Sequence, residues 1–156
     1  MSNNVWSLKN VDYSEKGKQF EVVVEGQVKQ QTTIYTALDY AGNKWYYTEE
    51  GHSYILDSRR RRGSHWFVER YLSKIPVIVR NPIIIGRDPL DKNKKFYYGL
   101  ISVAEHNYQK LLFVVVMQTL PKMVVWNFYW LEQQRVPSNV IILYRTKWAR
   151  RHLRGR

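Results

Sequence analysis

Four consecutive arginines make up the part of this sequence best suited to binding phosphates. The run consists of Arg59, Arg60, Arg61 and Arg62. Guanidinium groups on a loop can contact successive phosphates and release their counterions. Ser64 then predicts the N-cap of a helix, and a helix N-terminus attracts anions while it repels cations. The pattern predicts a phosphate-binding segment, and a solvated charge run between two elements is the simpler alternative.

His65 lies beside this run, in the first turn of the predicted helix. The helix N-terminus and the arginines should lower the pKa of His65, which leaves a neutral imidazole at pH 7. A neutral imidazole can take a proton from a ribose hydroxyl, so His65 is a candidate general base. A surface histidine that caps or stacks is the alternative interpretation.

A second group of basic and aromatic residues begins a predicted strand at Phe96. Lys94 precedes that strand and is a candidate nucleic-acid contact. Alternation places Lys95 and Tyr97 on one side of the strand, as candidate catalytic residues. Phe96 and Tyr98 lie on the other side, so one tyrosine should be core and the other exposed for stacking on a base. A strand edge with solubilising lysines is equally compatible with this pattern.

The last long strand predicts a polar stripe opposite an aromatic one. Asn127 and Tyr129 lie on the polar face, and Glu132 and Arg135 follow near it. Tyr129 and Arg135 are candidate catalytic residues on this alternation. The opposite face is predicted to be core and carries Trp126, Phe128 and Trp130. Any half-buried strand shows such a division, so the stripe alone does not define a site.

The chain ends in a basic segment that should have no structure of its own. Residues 150–156 include Arg150 and Arg151, both candidate phosphate contacts. Such a segment can become ordered when it binds a nucleic acid.

Several chemistries are excluded by composition and spacing. The chain has no cysteine, which removes disulfides and thiolate chemistry. The four histidines share no ligand-like spacing, and no glycine-rich phosphate loop is present, so neither a metal nor a cofactor is predicted. No apolar run approaches the ~20 residues of a membrane helix. We therefore expect a cytoplasmic protein with no membrane partner.

Positive charge is concentrated in the last two thirds of the chain. The 156 residues carry a net charge of +12, and residues 1–57 contribute five Lys minus eight Asp or Glu, or −3. Residues 58–156 contribute twenty Lys or Arg minus five acids, or +15. This asymmetry predicts a nucleic-acid partner, with RNA favoured over DNA, and an acidic protein partner or inhibitor is the alternative.

The elements that must position these residues predict an α+β fold. Residues 1–57 are β-rich, with strands predicted over Phe20–Glu25, Thr32–Tyr40, Lys44–Thr48 and His52–Leu56. Residues 58–146 predict one or two helices over 64–80, packed on one face of an antiparallel meander of about four strands. Its strands are predicted at Phe96–Val103, Lys110–Thr119, Met123–Trp130 and Val140–Tyr144. The other face of this meander should be open, and residues 147–156 form the tail.

The order of these segments resembles a known group of nucleases. The matching stretches are His65–Tyr71, Ile75–Pro82, Phe96–Tyr98, Leu111–Val116 and Val124–Phe128. Over residues 63–134 the chain is similar to the barnase–EndoU–colicin–RelE-like small nucleases, and closest to their phage-associated and BrnT-toxin-like branches. The usual ending of the last strand in that group is replaced here by Trp126–Tyr129.

The resemblance implies metal-independent cleavage of RNA through attack by the 2′-hydroxyl. Within it, only His65 matches a motif by position, whereas the roles of Lys95, Tyr97, Tyr129 and Arg135 follow from strand alternation. We therefore expect a ribonuclease of toxin or effector type. A non-enzymatic RNA- or DNA-binding protein, and a structural or assembly protein of a phage, are the alternatives.

Overall fold

One sheet of eight strands organises the chain in the computed structural model, which describes residues 5–61, 69–103, 109–119 and 121–153. The strands are β1 (Gln19–Val24), β2 (Gln27–Leu38), β3 (Lys44–Thr48), β4 (Ile84–Arg87), β5 (Lys94–Val103), β6 (Gln109–Gln118), β7 (Met123–Trp130) and β8 (Ile141–Arg145). The helices of the described residues are α1 (Glu49–Arg61), a 3-10 turn (Leu72–Lys74), α2 (Ile75–Arg80) and α3 (Lys147–His152). No described helix has the length and apolarity needed to cross a membrane.

The spatial order of the strands is β1-β2-β3-β7-β6-β5-β4-β8. Neighbouring strands are antiparallel, except that β3 runs parallel to β7. The predicted fold class, with helices on a four-stranded antiparallel meander, is therefore wrong: the chain forms a curled mixed sheet with few short helices. The physical reason is that β3 pairs directly with β7, which adds β1–β3 to the same sheet.

The central meander follows the sequence prediction. β5, β6 and β7 match the three predicted strands and pair in antiparallel register. The apolar run over residues 111–117 is continuous because β6 is buried on both faces. A central strand covered on both sides needs apolar residues at every position, whereas a half-buried strand alternates.

The main core lies between one face of the sheet and the helices α1 and α2. Its buried members include Trp45, Tyr97, Phe113 and Phe128 from the strands, together with Ile55, Leu72, Ile75 and Ile78 from the helical segments. Pro76 occupies the first turn of α2, where its missing N–H costs no helix bond.

The opposite face is also covered, so the predicted open face is wrong. Leu112, Val114 and Tyr98 on this face pack against Val136 and Val140 of the segment after β7, and Ala149 of α3 belongs to the same cluster. The β1–β2 hairpin folds over this face and covers a third cluster. This cluster contains Val22, Val24, Tyr46 and Val124. Both tyrosines at the start of β5 are consequently buried, and the prediction of one exposed tyrosine fails.

The predicted strand over residues 52–56 is wrong, because these residues lie within α1. Glu49 and Glu50 occupy the first turn of that helix, where acidic groups favour helix formation. Ile55 is fully buried in the main core and anchors the helix to the sheet.

Two further predictions concern the helices. Residues 69–80 are helical as predicted, with a 3-10 turn at 72–74, whereas residues 64–68 lie outside the described part. The expectation that residues 150–156 have no structure of their own is wrong for Arg150–His152, which belong to α3. Thr146 caps this helix by accepting a hydrogen bond from the Ala149 amide at 3.1 Å.

Candidate nucleic-acid interface

The predicted phosphate-binding run and the candidate base fall largely outside the described residues. Arg62 and His65 lie there entirely, as do the side chains of Arg59, Arg60 and Arg61, whose backbone completes α1. Among the described residues, no group of His, Asp or Glu side chains is arranged to hold a metal ion.

The predicted residues of β5 divide between the surface and the core. Lys94 and Lys95 are half-buried and retain access to solvent. Tyr97 is 1% exposed, and its hydroxyl lies 3.4 Å from the Asp39 carboxylate. Burial, reinforced by the Asp39 charge, raises the pKa of Tyr97 well above its usual value. Tyr97 therefore supports the core and cannot stack on a base.

The remaining predicted residues do not join Tyr97 in one site. Tyr129 is half-buried and packs against the cluster on the opposite face of the sheet from Tyr97. Arg135 is exposed after β7, with its guanidinium 3.4 Å from the Gln133 amide oxygen. Arg150 and Arg151 are exposed on α3. The sheet thus separates the two tyrosines that alternation had suggested as catalytic partners.

A surface of aromatic rings and lysines forms where the β1–β2 hairpin meets β3, β7 and α1. We call it the aromatic–lysine surface; it contains Phe20, Lys29, Lys44, Tyr46, Tyr54, Lys122 and Trp126. Phe20 and Trp126 both pack on the cluster that contains Tyr46. The seven residues come from five elements and a turn, so the fold assembles them.

One half of the aromatic–lysine surface is centred on Lys122. Its ammonium lies 4.8 Å from the centre of the Tyr46 ring and 5.4 Å from that of Phe20. It also donates a hydrogen bond to the Tyr46 hydroxyl at 3.1 Å. Lys44 lies 5.3 Å from the Tyr46 ring and forms an ion pair with Glu15. The positive charge is therefore held against the ring faces, as in other cation–π contacts.

The other half is centred on Trp126. Tyr54 of α1 stacks on the Trp126 ring, with centroids 5.2 Å apart and planes inclined by 19°. Lys29 of β2 lies 5.9 Å from the same ring. Trp126 is half-buried, and Tyr54 is 40% exposed. Two stacked rings with a lysine beside them are thus open to solvent.

Trp126 separates two cavities. The larger has a volume of about 550 Å³ and is lined by Tyr54, Lys29 and Glu50 among others. The smaller has a volume of about 230 Å³ and is lined by Lys94 and Gln118 on the side of the β4–β5 loop. Trp126 therefore borders both cavities.

The acidic groups of the larger cavity influence how a polyanion can lie there. The Glu50 carboxylate accepts hydrogen bonds from the Thr32 amide at 2.6 Å and from the Thr32 hydroxyl at 2.7 Å. Glu25 is exposed at the rim. Carboxylates repel anions, so the acidic side of this cavity disfavours an anionic group, whereas Lys29 attracts one.

A separate polar contact lies inside the fold beneath α1. The Tyr47 hydroxyl is 2.8 Å from His52 Nδ1, and Tyr47 is fully buried. Burial lowers the pKa of His52, and the charge of Glu69 acts in the opposite direction. Burial also raises the pKa of Tyr47 far above its usual value, so its hydroxyl keeps its proton. This pair responds to pH but is not part of the aromatic–lysine surface.

Sequence reasoning missed Trp126 because a bulge reverses its direction. The register of β6 against β7 shifts between Val116 and Met117, opposite Asn127 and Val125. Trp126 consequently lies on the opposite face from Phe128, although strict alternation placed both in one core stripe. A tryptophan between Val125 and Asn127 was the only signal available, and it also fits a core strand.

No protein-family model matches the chain. Neither a curated protein nor a solved structure matches it. The resemblance of residues 63–134 to the small nucleases therefore stays a prediction, and function is inferred here from geometry and charge.

Proposed function

We propose that this protein binds single-stranded nucleic acid without cleaving it, through the aromatic–lysine surface. The observation that carries the proposal is the stack of Tyr54 on Trp126 beside Lys29, with Trp126 lining two cavities. Proteins that bind single strands combine a basic groove with aromatic side chains on which bases stack. The net charge of +12 attracts a polyanion to the protein, and Lys29, Lys44 and Lys122 supply positive charge at this surface.

The proposed binding mode requires the lysines to move from ring faces to phosphates. A cation–π contact at an exposed site is worth about 0.5–1 kcal/mol. A base stacked on an aromatic side chain is worth about 1–3 kcal/mol, and the lysine also gains a phosphate. Exchanging a lysine–ring contact for a base on the ring and a phosphate on the lysine is therefore favourable. Lys29 and Lys122 lie beside such rings in the free protein.

A single strand fits this surface better than a duplex does. Trp126 and Tyr54 present ring faces, which only unpaired bases can stack on. The β1–β2 hairpin folds over the sheet beside them, so the site is a recess with walls. Duplex bases are already stacked on one another and cannot enter it.

The test compares oligonucleotide affinities by fluorescence anisotropy. We expect labelled U15 and dT15 to bind at least tenfold more tightly than a 15-base-pair duplex at moderate salt. Trp126→Ala should weaken single-strand binding about tenfold, in line with the stacking contribution of ~1–3 kcal/mol. Trp6→Ala is the matched control, because Trp6 is 43% exposed and lies under Lys16 at 5.2 Å but is outside the surface. Equal effects of the two substitutions would refute the proposal.

Cleavage of bound RNA is a separate hypothesis that depends on His65. Incubating the protein with RNA in EDTA tests it, because a metal-independent ribonuclease leaves 2′,3′-cyclic phosphate ends. If cleavage occurs, His65→Ala should slow it by about 10²-fold or more with binding retained. Binding without any cleavage would favour the non-enzymatic proposal.

A further inference from the structure

The smaller cavity beside Trp126 has the features of a site for one base. It has a volume of about 230 Å³ and lies between the β1–β2 turn, the β4–β5 loop and the last residue of β6. Trp126 is among the residues that line it. Leu90 lies at the cavity with 95% of its side chain exposed, so its apolar surface has no cover in the described residues. A flat ligand in the cavity would cover both Trp126 and Leu90.

A buried amide lines this cavity without a partner. Gln118 is 5% exposed, and its side chain makes no hydrogen bond to any described residue. The amide atoms of Gln118 are not among the fully buried unpartnered atoms of the described residues, so they stay accessible and can bond to a ligand in the cavity. Lys94 pairs with Gln118 across the strands and lines the same cavity. The cavity therefore has two hydrogen-bond donors at one end, from the amide and the ammonium.

Three carboxylates line the same cavity, those of Asp88 and Asp91 in the β4–β5 loop and that of Glu25 in the β1–β2 turn. Asp88 accepts hydrogen bonds through Oδ1 from the Leu90 amide at 2.7 Å and from the Asp91 amide at 3.2 Å. Asp91 accepts one through Oδ1 from the Asn93 amide at 3.0 Å. These bonds hold the loop in place, and the second oxygen of each aspartate has no described hydrogen-bond partner. The loop thus adds fixed acceptors to the donors of the strands.

We propose that this cavity selects guanine within a bound single strand; the proposal rests on the proposed function. Guanine alone among the four bases has two adjacent donors, N1–H and N2–H₂, which a carboxylate can accept together. Its O6 accepts from Lys94 or from the Gln118 amide, while its ring stacks on Trp126.

The other bases do not match this set of groups. In adenine and cytosine the amino group lies beside a ring nitrogen acceptor, which a carboxylate repels. In uracil the N3–H lies between two carbonyl oxygens, which have the same effect. Selection of guanine therefore follows from the two aspartates, and stacking on Trp126 alone would not discriminate.

The test uses labelled heptanucleotides UUUXUUU, where X is guanine, hypoxanthine, adenine or uracil. We expect the guanine strand to bind about tenfold more tightly than the adenine and uracil strands. Hypoxanthine keeps O6 and N1–H but lacks the N2 amino group, so its strand should be intermediate. Asp91→Asn should reduce the preference for guanine to threefold or less while UUUUUUU binding stays within twofold. Glu132→Gln, which makes the same charge change at an exposed position, should leave the preference intact.

The outcomes separate the two proposals. Equal affinity for all four strands overturns guanine selection and leaves single-strand binding in place. If no heptanucleotide binds, the proposed function fails. Titration with guanosine and adenosine monophosphates then tests whether the cavity itself prefers guanine. Quenching of tryptophan fluorescence by the guanosine nucleotide, at concentrations where the adenosine nucleotide has no effect, would support the cavity alone. No difference between these nucleotides would overturn it as well.

Discussion

Gly51 of α1 lies against the backbone of β7 at Val125, one residue before Trp126. A Cβ at Gly51 would stand 2.6 Å from the Val125 carbonyl oxygen, closer than real contacts allow. The absence of a side chain therefore lets α1 approach β7 closely enough for Tyr54, one turn later, to stack on Trp126. The aromatic–lysine surface depends on this contact between a helix and a strand backbone.

Gly51→Ala should lower stability despite the better helix propensity of alanine. The gain in propensity is about 1 kcal/mol, whereas overpacking against a backbone atom costs about 1–3 kcal/mol or more. We expect a melting temperature several degrees lower, measured by circular dichroism. Ser53→Ala, at an exposed position of the same helix, is the control and should change little. A stabilised Gly51→Ala variant would show that α1 does not approach β7 this closely.

Tyr54→Ala should weaken single-strand binding by fivefold or more, because it removes the ring stacked on Trp126. Tyr40→Ala is a matched control: Tyr40 is 42% exposed and contacts one ring, that of Tyr144, at 4.9 Å. Tyr40 lies outside the aromatic–lysine surface, so its removal should leave the dissociation constant of U15 within twofold. Anisotropy titrations of both variants give the comparison, and similar losses in the two would contradict the location of the site.

Lys122→Gln should reduce the salt dependence of binding. Loss of one phosphate contact lowers the slope of log K against log salt by about 0.7 for a single strand. Lys74→Gln, an exposed position of the 3-10 turn, removes the same charge away from the surface and should leave the slope unchanged. Affinities of U15 measured between low and moderate salt test this. An unchanged slope for Lys122→Gln would mean that Lys122 keeps its contacts with Phe20 and Tyr46 and does not contact a phosphate.

Folding stability should fall below neutral pH partly because of His52. Burial lowers the pKa of His52 from 6.5, so both states are neutral above pH 6.5 and the histidine costs nothing there. As pH falls through 6.5, the unfolded chain takes up the proton first, and stability is lost down to the folded pKa. In the tautomer whose Nδ1 accepts from the Tyr47 hydroxyl, protonation also removes that acceptor.

Melting temperatures at pH 7.5 and 5.5 test this dependence. The decrease in wild type should be larger than in His52→Gln, which has no titrating ring. His152→Gln is the control, since His152 is exposed on α3 and should leave the decrease as in wild type. An equal decrease in all three proteins would assign the pH dependence to other groups.

The sequence predicted the central meander well and the helix α1 badly, for related reasons. Residues 111–117 form a short apolar run with three consecutive valines, which is typical of a buried strand, so local pattern was sufficient. In contrast, residues 49–51 have the composition of a turn, and Tyr54 and Ile55 have that of a strand. Gly51 is a packing residue rather than a turn residue, and this becomes evident only when Val125 is beside it.

The candidate site could not be predicted from local sequence patterns, for a similar reason. Positive charge in the last two thirds suggested a nucleic-acid partner, which is still a proposal. The rings and lysines that we assign to it come largely from the first third, at Phe20, Lys29, Tyr46 and Tyr54. Their association with Trp126 depends on the pairing of β3 with β7 and on one bulge, neither of which has a sequence signature.

The parallel pairing of β3 with β7 also determines when during folding the aromatic–lysine surface can form. Trp45 pairs with Met123 and Tyr46 with Val124, so this contact joins segments that are distant along the chain. Long-range contacts form late, because the entropy of loop closure must be lost before they stabilise anything, whereas β5, β6 and β7 meet through neighbouring segments. Strand structure should therefore accumulate before Tyr46 and Tyr54 reach Trp126. The proposed binding of single-stranded nucleic acid should therefore appear only with the slowest refolding step.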